Sequence, residues 1–142
     1  MTKTSNQIII VGAGPVGLCL ALALTQANIP VTLLDLKTEI SEQARDKIHK
    51  SRPPLLLDKS KINNIKVGNI LDNFDEVKEA DWVVEAVVER IDIKHEIYKK
   101  IFKERKEGAI VSSNTSSIPI KVLSEHLSEE EKKDFCITHF FN

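Results

Sequence analysis

A chain of 142 residues is long enough for one domain, in which about two thirds of the unfolded chain's surface becomes buried. Its 20 Lys and Arg residues against 21 Asp and Glu residues give a net charge of -1, which indicates no electrostatic preference for nucleic acid or an anionic membrane. No apolar run reaches the roughly 20 residues of a membrane span, and MTKTSNQ lacks the apolar core of a secretion signal, so we expect a cytoplasmic protein.

The first feature along the chain is the run IIIVGAGPVG at residues 8–17, which predicts a buried strand, a glycine-rich turn and a helix. In its G-x-G-x-x-G spacing, Gly12 allows the tight turn, Gly14 lets the backbone approach a pyrophosphate, and Gly17 lets the helix pack closely. The helix N-terminus offers free N–H groups to phosphates. Pro15 fits the first helical turn but removes one amide contact. Alone this motif is a weak signal, because glycine-rich turns occur in many chains that bind no nucleotide.

After the turn, an almost wholly apolar helix is expected as far as Asn28, buried between the sheet and other helices. The run PVTLL at residues 30–34 predicts a second buried strand, and Asp35 follows it directly. An acid at this position in a dinucleotide fold hydrogen-bonds the adenosine ribose and repels a 2′-phosphate. The alternative is an aspartate that only caps the next turn.

Strands and helices continue to alternate along the rest of the chain. Helices are predicted over residues 38–50, 74–79, from 93 to a stop at Gly108, and 118–126, and strands over 65–67, 82–87, 109–112 and 135–138. The sequence of residues 55–64 is compatible with a connector or an edge strand and does not distinguish between them. The alternation implies right-handed crossovers, and therefore a doubly wound α/β domain with a mostly parallel, Rossmann-type sheet of six strands.

No repeat or linker divides the chain, so residues 1–142 are predicted to form one domain. A domain rarely stops at the tip of a strand with two phenylalanines and no covering element, so we expect a fragment of a longer protein.

Several side chains have an ordinary structural interpretation. The cysteines, Cys19 and Cys136, show no metal-ligand spacing, so we expect buried thiols and no metal site. The histidines at 49, 95 and 126 are interpreted as structural. For Glu85 and Glu89 a simple solvated pair is the alternative to a cofactor role, and for Lys94 it is an exposed helix face.

Three stretches in the second half carry a family resemblance: ADWVVEAVVE at 80–89, SSNTSS at 112–117 and THFFN at 138–142. Alone, the serine-rich stretch would predict only a helix cap. Together, and in this order, they resemble the L-3-hydroxyacyl-CoA dehydrogenases of fatty-acid β-oxidation, and the chain is most similar to bacterial multifunctional or stand-alone forms. The resemblance covers residues 8–142 and implies the NAD-binding domain, without the mostly helical second domain that supplies dimer contacts and closes over the acyl-CoA.

The resemblance also implies roles for individual residues. Asp35 would bind the adenosine ribose, and Glu89 and Lys94 would lie beside the nicotinamide half of NAD. Ser116 would donate to the 3-oxygen of the acyl chain, His139 would be the catalytic base, and Asn142 would lie beside the reacting oxygen. The complete cofactor-binding set is Gly12, Gly14, Pro15, Val16, Gly17, Asp35, Ala86, Val87, Glu89, Lys94, Asn114 and Ser116.

The chain departs from the family pattern in two places. The family orients its histidine with a glutamate downstream of HFFN, and no residue of this chain fills that position. We therefore expect the isolated chain to bind NADH weakly and to turn over acetoacetyl-CoA negligibly. Pro15-Val16 replaces the family's usual pair, which affects the detail of phosphate contact.

The resemblance implies the oxidation of (S)-3-hydroxyacyl-CoA to 3-oxoacyl-CoA, and the residue types suit the oxidation of a secondary alcohol. Imidazole exchanges a proton near neutral pH, and hydroxyl or amide donors near the same oxygen stabilise developing charge. Two alternatives remain: a dinucleotide-binding module without turnover, and a flavin site, because GAGPVGL also resembles the FAD site of aromatic-ring monooxygenases. The parent protein is expected to be a homodimer or part of a β-oxidation complex.

Overall fold

The computed structural model describes residues 7–140, in which six strands alternate with helices. The strands are β1 (Ile8–Val11), β2 (Val31–Asp35), β3 (Ile65–Asn69), β4 (Trp82–Glu85), β5 (Ile110–Ser113) and β6 (Phe135–Ile137). The α-helices are α1 (Pro15–Gln26), α2 (Thr38–Lys50), α3 (Ile91–Glu104), α4 (Ile120–Leu123) and α5 (Glu129–Lys133), and 3₁₀ turns cover Lys59–Asn64 and Phe74–Glu79.

All strand pairs are parallel, in the order β3-β2-β1-β4-β5-β6. This order belongs to the Rossmann-type doubly wound fold, and it confirms the predicted fold class. No helix in the described stretch is long and apolar enough to cross a membrane.

Alternate residues of the buried strands point to opposite faces of the sheet, as the two-residue period of a strand requires. Ile9 and Val11 pack on the face that α3 covers, whereas Ile8 and Ile10 pack beneath α1 and α2. Continuous burial on both faces explains why these strands are apolar runs without polar alternation.

The register aligns the carboxyl ends of four strands. Val11 pairs with Leu34 on one side and with Glu85 on the other, and Glu85 pairs with Ser113. The residue that follows each strand therefore lies at one edge of the sheet. Backbone bonds continue the pairing past the strands: Ala86 N donates to Val11 O at 2.8 Å and Asn114 N to Glu85 O at 2.8 Å.

The predicted complete burial of α1 and of the two cysteine thiols is wrong. Only one side of α1 is buried, at Gly17, Leu20, Ala21 and Thr25. Cys19 lies on the other side and is exposed, while Cys136 is only half-buried. The apolar composition of α1 masked the fact that a helix on an open sheet contacts the sheet along a single stripe.

The region after the serine-rich stretch also differs from the prediction. In place of one helix over 118–126, the structure has the four-residue α4, a turn, and then α5. The hydroxyl of Ser124, the residue that follows α4, donates to the carbonyl of Ile120, the first residue of the helix, at 2.8 Å. Ser128 then starts α5 through a capping box with Glu131.

Candidate functional site

Two adjoining cavities lie along the carboxyl edge of the sheet. The first, of about 510 Å³, runs from the glycine-rich turn to Asp35 and α3. The second, of about 260 Å³, lies beside Asn114, Ser116 and His139. Val16, Ala86 and Val87 line both cavities, so the two form one elongated depression. A dinucleotide binds at this edge of an open α/β sheet, where the strand order reverses between β1 and β4.

The glycines of the turn have three different environments. Gly12 has φ +119°, and a Cβ there would lie 2.3 Å from Ala86 O. A Cβ on Gly17 would lie 1.9 Å from Gly12 O, so Gly17 lets α1 begin close against the turn. A Cβ on Gly14 would meet nothing within 4 Å, and Gly14 lines the first cavity. Gly12 and Gly17 are therefore needed for the fold, whereas Gly14 leaves space for a ligand.

The Asp35 carboxylate lies at the far end of the first cavity from β5 and β6. Its Oδ2 accepts from Ala13 N at 2.7 Å, and its Oδ1 accepts from Leu36 N at 2.7 Å. The two backbone donors fix the orientation of the carboxylate between the glycine-rich turn and β2. Each oxygen keeps a further lone pair for a hydroxyl donor such as those of a ribose.

Glu89 follows β4 and borders the second cavity. It accepts hydrogen bonds from the hydroxyls of Thr115 and Ser117, and its Oε2 lies 3.3 Å from Lys94 Nζ. Burial acts to raise the pKa of Glu89, but the Thr115 hydroxyl and the Lys94 cation together outweigh it and lower the pKa. Glu89 is therefore a carboxylate that ties the loop after β5 to α3.

The solvated pair considered as the alternative for Glu85 and Glu89 is wrong for Glu85, which is 0% exposed and lines neither cavity. Its Oε1 accepts from Lys94 Nζ at 2.7 Å and Val87 N at 2.9 Å. Its Oε2 accepts from Tyr98 OH and Ser113 Oγ, each at 2.6 Å. Burial and the charge of Glu85 raise the pKa of Tyr98, which keeps the phenol protonated as a donor.

A sequence signal for this cluster did exist. Glu85 ends an apolar strand in phase with buried residues, and Lys94 follows nine positions later on a helix that packs on the same face. A charged residue in a fully buried position requires a partner of opposite charge. The exposed helix face suggested for Lys94 is also wrong, because its side chain is 1% exposed.

The second cavity brings together the polar residues that follow β5 and β6. Asn114 Oδ1 accepts from Phe140 N at 2.7 Å, which links the two loops directly beside His139. Thr138 N donates to Ser113 O at 2.9 Å, and the Thr138 hydroxyl donates to Ser112 Oγ at 2.9 Å. These bonds position His139 at the cavity wall.

Most of the predicted site residues line the two cavities. They are Gly12, Gly14, Pro15, Val16, Asp35, Ala86, Val87, Glu89, Asn114, Ser116 and His139. Gly17 and Lys94 lie behind the cavity walls, Gly17 against Gly12 and Lys94 between two carboxylates. Asn142 falls outside the described residues.

The chain covers only part of the length of its relatives. It is 36% identical to a putative fatty acid oxidation complex trifunctional enzyme of Rickettsia felis, covering 100% of this chain and 21% of the relative. It is also 36% identical to a probable 3-hydroxyacyl-CoA dehydrogenase of Deinococcus radiodurans, covering 94% of this chain and 40% of the relative. The chain therefore spans between about a fifth and two fifths of these relatives.

A solved structure with the same fold is the (S)-3-hydroxybutyryl-CoA dehydrogenase of Ralstonia eutropha. It has a TM-score of 0.80 and 30% identity over 98% of this chain and 50% of that one. Residues 7–142 match the family model described as 3-hydroxyacyl-CoA dehydrogenase, NAD binding domain, and this match does not favour the flavin alternative. The chain thus belongs to the family of 3-hydroxyacyl-CoA dehydrogenase NAD-binding domains.

Proposed function

We propose that residues 1–142 form a domain that binds NAD in the two adjoining cavities, with the adenosine half at Asp35 and the nicotinamide half at His139. The observation that carries the proposal is the continuity of these cavities along the carboxyl edge of the sheet. The residues present fit the cofactor: Gly14 leaves open space at the start of α1, and Asp35 has lone pairs for ribose hydroxyls. A 2′-phosphate would face the Asp35 carboxylate, so the proposal is NAD and not NADP.

We further propose that the protein oxidises (S)-3-hydroxyacyl-CoA to 3-oxoacyl-CoA in fatty-acid β-oxidation. His139 takes the proton of the 3-hydroxyl group, while Ser116 and Asn142 donate to the same oxygen and stabilise charge developing on it. When bound in these cavities, NAD+ would supply the acceptor for the hydride of C3. Asn114 keeps His139 in place through its bond to Phe140 N.

The assembly of the whole protein is proposed from the name of one of its relatives. One relative is named as a fatty acid oxidation complex trifunctional enzyme, which supports a protein that works within a β-oxidation complex; a homodimer is the alternative. A cytoplasmic location accords with this role.

The cofactor assignment is tested by fluorescence titration of the chain with NADH and NADPH. Asp35→Ala should weaken NADH binding roughly tenfold to a hundredfold, because a hydrogen bond to a charged group contributes about 1.5–3 kcal/mol. The variant should not weaken NADPH binding. Asp58→Ala, on the connector after α2, is the control and should bind NADH like the parent. Unchanged NADH affinity in Asp35→Ala would overturn the ribose assignment.

The catalytic assignment is tested in the product of the complete gene, by following NADH consumption with acetoacetyl-CoA. His139→Ala should lower kcat by roughly 10²–10⁴ without changing NADH affinity, as expected for loss of a general base. The control is His49→Ala on α2. A complete product that binds NADH but turns over no acetoacetyl-CoA would favour the non-catalytic binding module.

A further inference from the structure

Two histidines and a glutamate meet on the surface where α3 contacts the turn after α4. They are His95 on α3, and Glu125 and His126 in the turn, and their ligand atoms all lie within 4.8 Å of one another. We infer that this cluster is a binding site for a divalent cation of the zinc class. The site is separate from the proposed NAD cavities, and its occupancy does not depend on the proposed function.

Two of the three separations between the ligand atoms suit one small ion, and the third, between the two histidine nitrogens, is within 4.8 Å. Glu125 Oε1 lies 3.8 Å from His95 Nδ1 and 3.5 Å from His126 Nε2. A tetrahedral zinc ion with ligands at about 2.0–2.2 Å holds its ligand atoms roughly 3.3–3.6 Å apart. Both measured separations are within about half an ångström of that value. Small side-chain rotations of two exposed residues would therefore complete the geometry.

The tautomer of His95 is fixed in the form that a metal requires. His95 Nε2 lies 2.9 Å from the backbone carbonyl of Val122, and a carbonyl can only accept, so Nε2 carries the hydrogen. The Nδ1 lone pair is then directed to the side where Glu125 lies. Histidines that bind metals usually donate their other N–H to a carbonyl or carboxylate in this way, which fixes the ring orientation.

The ligand types select the class of ion. Two imidazole nitrogens and one carboxylate oxygen suit zinc, nickel or copper, whereas magnesium and calcium prefer oxygen ligands throughout. The His126 side chain is 70% exposed and that of Glu125 51%, so an ion can enter from solvent and keep water at its remaining position. The His95 side chain is only 13% exposed and anchors the site to α3.

An ion here would connect the turn after α4 to α3, whose Ile93 and Ile97 line the first cavity. α3 carries Lys94 next to His95, and α4 follows the loop that contains Asn114 and Ser116. Bound zinc would therefore hold the turn after α4 against α3 and stabilise the folded chain, because it binds the folded state in preference to the unfolded one.

The test uses the untagged chain, titrated with zinc in a calorimeter and with Co²⁺ in a spectrophotometer. We expect one ion per chain, a visible Co²⁺ spectrum without the charge-transfer band of a thiolate ligand, and a higher unfolding temperature in zinc than in EDTA. His126→Ala should weaken binding at least about tenfold, since loss of even an outer-shell partner costs that much. His49→Ala, on the opposite side of the sheet, should change nothing.

Each alternative result overturns the inference. Substoichiometric zinc binding, or equal binding by His126→Ala and the parent, would mean that these side chains do not form a metal site. A Co²⁺ spectrum with a thiolate band would place the ion at a cysteine, Cys19 or Cys136, instead. Because His126 is a solvent-exposed residue in a turn, its replacement should leave the fold intact, which circular dichroism of the variant verifies.

Discussion

At the scale of single residues, Glu85 decides how the loops of the proposed site are held. Its two oxygens receive four donors, from Lys94, Val87, Tyr98 and Ser113. A buried carboxylate is costly to desolvate unless it is paired and hydrogen-bonded, and here every donor comes from a segment that borders the cavities. The cluster therefore fixes α3, the loop after β4 and the end of β5 relative to one another.

Replacing Glu85 with Gln should destabilise the chain by about 3 kcal/mol or more, because Lys94 would remain buried with a weaker counter-charge. Denaturation in urea measures the loss. Asp46→Asn is the control, since it removes a surface ion pair to Lys50 and should have no measurable effect. A loss below about 1 kcal/mol would contradict the assigned role. If Glu85→Gln does not fold, Tyr98→Phe provides a milder variant, with an expected loss of about 1.5–3 kcal/mol.

The lowered pKa of Glu89 predicts that the free energy of unfolding depends on pH. Its pKa in the folded chain is lowered from the ordinary value of 4.5, so its contribution is fully present above that pH. As the pH falls through 4.5 towards the folded pKa, the unfolded chain binds the proton first and the contribution is lost. Glu89→Gln should therefore lose less unfolding free energy than the parent between about pH 6 and about pH 3.5. Equal losses in the two proteins would show that Thr115 and Lys94 do not stabilise the ionised carboxylate.

At the scale of elements, the turn between β1 and α1 contains one glycine that the fold requires and one that lines the first cavity. Gly12 has a positive φ and touches Ala86, which ties β1 to β4. Gly14 has φ -71° and ψ -173°, a conformation open to any residue, and nothing lies within 4 Å of its Cβ position. The same substitution at these two positions should therefore affect different properties.

Gly12→Ala should destabilise the chain by at least about 2 kcal/mol, because a methyl group meets the Ala86 carbonyl in a strained conformation. Gly14→Ala should leave stability unchanged or raise it by about 0.4–1 kcal/mol, and weaken NADH binding because the methyl group enters the cavity. Urea denaturation and NADH titration of both variants make the comparison. Full NADH affinity in Gly14→Ala would mean that phosphates do not approach this residue.

The elements differ in how far the sequence could predict them. The bounds predicted for α2 and for the turn at 74–79 agree with the structure, because proline, charge patterning and short apolar runs define them locally. Helix α5 was missed because its stability comes from the Ser128–Glu131 capping box and not from apolar periodicity. The parallel sheet was predicted from the alternation of strands and helices, and parallel pairing is what aligns the carboxyl ends of the strands at one edge.

At the scale of the whole molecule, the candidate site was more predictable than the network behind it. Glycine spacing and residues after strand ends mark a ligand surface in sequence. The partners of Glu85 and the meeting of His95 with His126 depend on how α3 packs, which is a tertiary property. The glycine spacing therefore predicted the residues of the turn, and the family resemblance named other residues that line the cavities. The pairing of Glu85 with Lys94 had a signal in the sequence, but its full set of partners required coordinates.

The cavities touch the ends of strands on both sides of β1, so a bound dinucleotide should stabilise the fold as a unit. At a free NADH concentration of about 100 times Kd, the free energy of unfolding should rise by about 2.7 kcal/mol. For a domain of this size that corresponds to an unfolding temperature roughly 5–11 °C higher. Calorimetry checks the shift, and circular dichroism checks that unfolding remains one transition. NADPH at the same concentration should give a smaller shift because of Asp35, and FAD none. An equal shift with FAD would contradict a nicotinamide site.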